Sequence, residues 1–264
     1  MKIASLLGVL LPLTMSAATA AEDVVTKELT PTGKLRVGLA YAPVKTPVFV
    51  TKDASGQVEG VGLDLAKTLA RSLGVEVEVF VAATTGELTD ASAAGKIDIG
   101  FTPVDDERKQ RVDFSPPFFI IESTYLVTAA SGISTQADVD RPEVTVAGIA
   151  GSTTIRAAGR TLKRAKIVAL KSVADAMAMM QAGSAQALAL SRDAMPALQK
   201  TLPGSRVLDG AYQVTGVAMS VPKNKPAALA FVTRFMEKAK TDGTVRRALD
   251  AAGLQDLAVA PSAN

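Results

Sequence analysis

The spacing of apolar residues changes period several times along the 264-residue chain. KLRVGLA (34–40) is an apolar run of strand length, and VFVTKDASGQVEGV (48–61) sets two shorter runs around an Asp53–Gly56 turn, which predicts a hairpin. The spacing then lengthens: Leu63, Ala66, Leu69, Ala70 and Leu73 share one face of a helix that Gly74 ends. VEVEVFV follows with strict alternation and predicts a half-buried strand. GELTDASAAG (86–95) predicts a second helix stopped by Gly95, with KIDIGF as the strand behind it.

A second cycle repeats the plan. VTVAGIA (144–150) reads as a strand, GSTTIRAAGRTL opens a helix, KIVAL (166–170) is a strand, SVADAMAMMQAG (172–183) a helix and AQALAL (185–190) a strand. Met177, Met179 and Met180 on that last helix read as core filling. Strands alternating with helices define an α/β chain with mainly parallel sheets, and the repeat predicts two similar lobes. FFIIESTYLV (118–127) and AYQVTGVAMSV (211–221) flank the second cycle. As crossovers they insert the second lobe into the first, and the helices at 226–240 and 242–252 return to the first; such a two-strand connection is a hinge. The expected division is a leader at 1–20, a flexible segment at 21–32, lobe 1 at 33–120 and again at 216–264, and lobe 2 at 121–215.

The leader is read from Lys2, the apolar run IASLLGVLLPLTM and the small residues after it, with Ala18 and Ala20 marking a signal-peptidase site. The apolar run is shorter than the roughly 20 residues a membrane span needs, so cleavage and export, best matched by a bacterial periplasm, are expected. No cysteine is present, so neither a lipid anchor nor disulfides enter the picture, and packing must supply stability. After the leader, 28 basic side chains face 26 acidic ones without basic runs, which gives no signal for nucleic acid. Histidine is absent as well, so imidazole or thiol nucleophiles and His or Cys metal sites are excluded. No cofactor and no metal is expected, adjacent Asp105, Asp106 and Glu107 being poorly spaced to share a cation.

The candidate chemistry sits where strands end. In GFTPVDDERKQRVDFS the strand stops near Phe101, Asp105 is a plausible N-cap, and Arg108 follows at the carboxyl end of the sheet, where open α/β folds bind ligands. A guanidinium there offers a planar fork for a carboxylate; the plain alternative is a solvated surface charge. AGIAGSTT (147–154) repeats the geometry, with Ser152 and Thr153 at a helix start able either to hold an anion or only to cap the helix. Tyr41 and Phe49 follow the first strand and could cover an apolar part of a ligand, core packing being the alternative for Phe49.

GKLRVGL, GVGLDLAKTLARSLGVEVEVF with Gly60 and Asp64, AAGKIDIGFTPVDDERKQRVDFSPPF and VAGIAGSTT together resemble the extracellular solute-binding proteins of the amino-acid type, family 3, over about residues 33 to 250. The resemblance implies a type II periplasmic binding fold, closure of two lobes over a small carboxylate ligand, and an inner-membrane ABC permease as partner, with the receptor itself a monomer. It implies that Arg108 clamps the ligand carboxylate, that Thr102 or Pro103 borders it, and that Ser152 and Thr153 form the contact from the second lobe. The acidic position that commonly pairs with a ligand ammonium falls at Ser191, so either Asp193 or Asp105 substitutes, or the ligand lacks that amine. A second expectation, from the same resemblance, is a cyclohexadienyl dehydratase with Glu107 or Asp105 as general acid.

Overall fold

The computed structural model describes residues 23–43 and 45–262, so the expected leader at 1–20 lies outside the described residues. Strand β1 (Lys34–Tyr41) is the run that KLRVGLA predicts. It is buried along most of its length because strands lie on both sides: β4 (Glu76–Ala82) runs parallel to it from Lys34↔Glu76 to Ala40↔Ala82, and β5 (Ile99–Pro103) meets it at Val37↔Ile99 and Gly38↔Gly100. The 48–61 hairpin forms as β2 (Phe49–Lys52) and β3 (Val58–Glu59), its turn held by the Asp53 carboxylate, which accepts from the backbone N–H groups of Ser55 and Gln57.

Helix α2 (Val61–Leu73) lays its apolar face on this sheet and ends where Gly74 turns left-handed, letting the N–H groups of Gly74 and Val75 bond back to Arg71 and Ala70. At its other end Gly60 has φ 150°, and a Cβ there would stand 3.1–3.3 Å from Val50 and the Phe49 carbonyl, so the close packing of hairpin on helix needs glycine. Helix α3 (Thr85–Ala93) follows β4, and the one-turn α4 (Asp106–Lys109) follows β5.

The second half repeats the arrangement. Strands β7 (Thr145–Ile149), β8 (Lys166–Leu170) and β9 (Ala187–Ser191) are parallel, with α5 (Thr153–Thr161) and α6 (Val173–Gln181) between them. Met177 and Met180 are buried against Leu126, Leu188 and Met195, as the helical spacing predicts. After β9 come α7 (Met195–Gln199) and the short β10 (Arg206–Val207), which pairs with β6 (Val112–Val127); the sheet is continuous through two antiparallel strands, β6 and β11 (Gln213–Pro222), in the order β3-β2-β1-β5-β11-β6-β9-β7-β8. β11 pairs with β5 at its C-terminal end and with β6 along most of its length, while the far end of β6 pairs with β9, so these two strands link the halves. α8 (Pro226–Thr241) and α9 (Thr244–Ala251) pack their buried faces into the first half's core with Leu35, Leu69 and Phe101.

One expectation is corrected. The segment 21–32, expected to be flexible, is helical at 23–29 (α1); Val25 and Leu29 are buried in the first core, and the Glu28 carboxylate accepts from the Ala228 N–H at the start of α8, 2.9 Å away. Two apolar residues four apart are enough to dock a short helix, and an orphan donor at a helix start gives it an anchor.

Candidate functional site

The centre of the molecule is the end of β5. Asp105 is the N-cap of α4, its Oδ1 accepting the Arg108 N–H at 2.9 Å, and this turns the Arg108 side chain inward, where only 1% of the residue is exposed. The guanidinium lies between the two halves. Nη1 donates to the Pro103 carbonyl (2.7 Å) and the Thr153 hydroxyl (2.9 Å); Nη2 donates to the Thr85 hydroxyl (2.8 Å) and the Gly151 carbonyl (2.9 Å). Each terminal nitrogen thus spends one hydrogen on the first half and one on the second, and Nε, also enclosed, has no hydrogen-bond partner among the described residues. Burial pulls the Arg108 pKa down to about 10, Arg156 adds to this and Asp105 and Glu107 oppose it; the side chain is a cation at neutral pH.

The partners of Arg108 are placed by helix caps. Thr84 caps α3 by accepting the Glu87 N–H, and Glu87 reaches back to the Ala83 N–H, which fixes Thr85 at the first helical position. Ser152 caps α5 by accepting the Ile155 N–H, with Thr153 next in line. Where the two helix starts meet, Gly86 faces Gly151 so closely that a Cβ on Gly86 would stand 3.0 Å from the Gly151 Cα. Arg156, one turn into α5, completes the bridge: it pairs with Asp105, and its Nε lies 3.1 Å from a Glu107 oxygen. Asp105 Oδ2 also accepts from the Thr153 hydroxyl at 2.9 Å. Burial alone would raise the Asp105 pKa, but the Arg108 N–H, the Arg156 hydrogen bond and the two guanidinium charges hold it below the ordinary carboxylate range.

Beside this network lies the cleft cavity. Val48, Phe49, Ile121, Ile149 and Leu190 give it apolar walls, and the Thr85, Thr153, Thr154, Ser152 and Ser191 side chains line the remainder with Pro103. Its volume is ≈ 30 Å³. That holds a water or two, against the roughly 300–1,000 Å³ of pockets that take drug-sized ligands. A groove of ≈ 370 Å³ between α2 and α9 is larger, but its walls, which include Asp64, Lys67, Arg71 and Arg247, come from those two helices and from no strand.

Pro103, Ser152, Thr153, Ser191 and Phe49 therefore line the cleft, and Arg108 lies behind them, bonded to Pro103, Thr153 and Thr85. Thr102 lies one residue before Pro103 opposite Ala218, with its hydroxyl enclosed and unpartnered among the described residues. Tyr41 does not join them: it is 38% exposed at the end of β1, with the Lys52 Nζ 5.8 Å above its ring, because the strand has run past the cleft by that residue. Thr85, Gly151 and Arg156 went unnoticed in the sequence. The T-x-x-E pattern from Thr84 to Glu87 marks the helix start that presents Thr85, and a lone arginine in the first turn of α5, where a positive charge is unfavourable, signals an acidic partner across the fold.

Residues 36–252 match the model of the bacterial extracellular solute-binding proteins, family 3, and the chain belongs to that family. A glutamine-binding protein from Geobacillus stearothermophilus is 29% identical over 202 residues, 75% of this chain and 76% of its own length. A probable histidine-binding protein from Campylobacter jejuni is 25% identical, with 85% and 87% covered. Among solved structures, an ancestral amino acid-binding protein described as a precursor of cyclohexadienyl dehydratase superposes with a TM-score of 0.74 at 31% identity, over 85% of this chain and 97% of the other. A mutant of ArgBP from T. maritima gives 0.76 at 26% identity, over 87% and 99%. The fold is the type II periplasmic binding fold, as expected. Among the described residues no helix is long and apolar enough to cross a membrane.

Proposed function

We propose that this protein is a periplasmic receptor of an ABC importer that captures a small carboxylate-bearing solute, an amino acid or related organic acid, between lobe 1 (33–120 and 216–264) and lobe 2 (121–215). The observation that carries this reading is the division of the Arg108 donors. Thr85 and Pro103 hold one hydrogen on each terminal nitrogen from lobe 1, and Thr153 and Gly151 hold the other two from lobe 2. When the lobes part about β6 and β11, Thr153 and Gly151 leave together, and Arg108 presents one free N–H on each terminal nitrogen. That pair matches the two oxygens of a carboxylate.

Ligand entry then replaces protein acceptors by ligand acceptors. Reclosure buries the new ion pair where its attraction is strong, and the lost intramolecular bonds keep net affinity moderate, on the order of micromolar. The closed receptor, a monomer, is the form presented to the permease. Export to the periplasm agrees with the extracellular character of the family.

The dehydratase reading needs a carboxyl group poised to give up a proton. Asp105 is held ionised by its three donors, and Glu107 is 57% exposed beside Arg156, so neither supports that role. Titration calorimetry with a panel of small carboxylates tests the proposal. Saturable one-to-one binding without product is expected, weakened by at least about 30-fold in Arg108→Met, which corresponds to the roughly 2 kcal/mol of a charge-assisted bidentate contact. Unchanged affinity in a folded Arg108→Met protein, or turnover of prephenate or arogenate, would overturn it.

A further inference from the structure

We infer that the solute is a short monocarboxylate with an apolar body and an uncharged oxygen, or nothing, in place of an α-ammonium group. This rests on the receptor reading above and narrows its ligand class. Among the described residues no side chain lining the cavity is charged, and the buried Arg108 guanidinium stands directly behind the wall, bonded to Thr85, Pro103 and Thr153. A carboxylate neutralises Arg108, but an added ammonium would leave one buried positive charge facing a hydroxyl and aliphatic walls. Such an uncompensated charge is strongly unfavourable.

The acids near the cleft cannot supply the missing partner. Asp105 has both oxygens engaged, Oδ1 by the Arg108 N–H and Oδ2 by Thr153 and Arg156. Glu107 is on the outer side of Arg156. Asp193 does not line the cavity: both of its oxygens are enclosed, and the Ser191 hydroxyl, which does line the cleft, is the group between the two. The groups that are present suit a different ligand. Ser152 and Thr154 hydrogen-bond each other at 2.9 Å and keep one O–H between them, and with the Ser191 hydroxyl this suits a 2-oxo or 2-hydroxy oxygen, while Val48, Phe49, Ile149 and Leu190 form the surface for a short hydrocarbon.

The test is calorimetric titration of the wild-type protein with matched pairs: 3-methyl-2-oxobutanoate against L-valine, and 4-methyl-2-oxopentanoate against L-leucine. The oxo acid of a pair is expected to bind roughly 100-fold tighter than the amino acid. Ser191→Asp places a carboxylate at the cleft wall and is expected to reverse the order, raising affinity for the amino acid. Equal or tighter binding of the amino acids by the wild-type protein would overturn this inference and leave the receptor reading intact. Failure of every pair member, together with failure of unsubstituted short carboxylates, would overturn both.

Discussion

Two aspartates lie within a few side chains of the cleft, and their surroundings could hardly differ more. Asp105, at the mouth, has a backbone N–H, a hydroxyl and a guanidinium on its oxygens, and its pKa is lowered. Asp193, just after β9, has both carboxylate oxygens enclosed and no hydrogen-bond partner among the described residues; burial pushes its pKa up to about 6, and the Ser191 hydroxyl and its own backbone N–H pull the other way without forming a good hydrogen bond. Burial acts alike on both carboxyl groups. What separates them is supplied donors, so Asp105 is part of an electrostatic bridge between the two halves of the sheet, while Asp193 is an acid that is easier to keep neutral.

The contrast can be broken from either side, and removing the bridge has the larger effect. Asp105→Ala leaves Arg156 with only the exposed Glu107 and the Gly151 carbonyl, uncaps α4 and removes the acceptor of the Thr153 O–H, and is expected to lower unfolding stability by about 3 kcal/mol at pH 7 in urea titrations. The sign with pH follows from the lowered pKa: this stability is present above the ordinary carboxylate range and is lost as pH falls through the folded-state value, so wild type and variant should converge in acid.

Asp193→Asn should move the other way. A carboxyl raised to about 6 favours the folded state fully below its unfolded value of about 3.9, and that advantage is lost as pH rises through 6. The variant is therefore expected to be more stable than wild type by about 2 kcal/mol at pH 8, with the gain shrinking toward pH 4 in thermal unfolding. A gain independent of pH would show that the carboxyl binds its proton equally in the folded and unfolded states, contrary to a raised folded-state value.

Gly86→Ala sharpens the comparison with the smallest expected effect on stability. Its φ is ordinary, so the helix tolerates alanine, but the new Cβ meets the Gly151 Cα at 3.0 Å and its carbonyl at 3.2 Å. The lobes should be propped apart, seen as a larger radius of gyration by X-ray scattering and several-fold weaker ligand binding, with unfolding stability changed by less than about 1 kcal/mol.

Much of this was legible in the sequence because each regular element carries its own period. Leu63 to Leu73 at helical spacing, Gly74 after it, and Asp105 before a short charged turn all led to the elements that form. VEVEVFV forms the strand its alternation predicts, with Val75 and Val77 half-buried on the core and Glu76 and Glu78 exposed, but the pattern fails at its far end. Among the described residues β4 pairs with β1 alone, and Val79, Phe80 and Val81 are all exposed, since alternation encodes strand geometry and not which face has a neighbour. The helix at 23–29 carries too few apolar residues to declare itself without the α8 start that it caps. In the site, the position of Arg108 was readable but its direction was not. Whether it pointed to water or inward depended on Thr85, Gly151 and Thr153, between 23 and 45 residues away along the chain.

The central claim is that Arg108 meets the carboxylate of the solute, and a paired titration tests it most directly. A bound carboxylic acid and its primary amide would be measured on the wild-type protein and on Arg108→Met. The account predicts that the amide binds wild type at least about tenfold more weakly than the acid, and that the difference disappears in the variant. An acid-to-amide ratio that is the same in both proteins would contradict it.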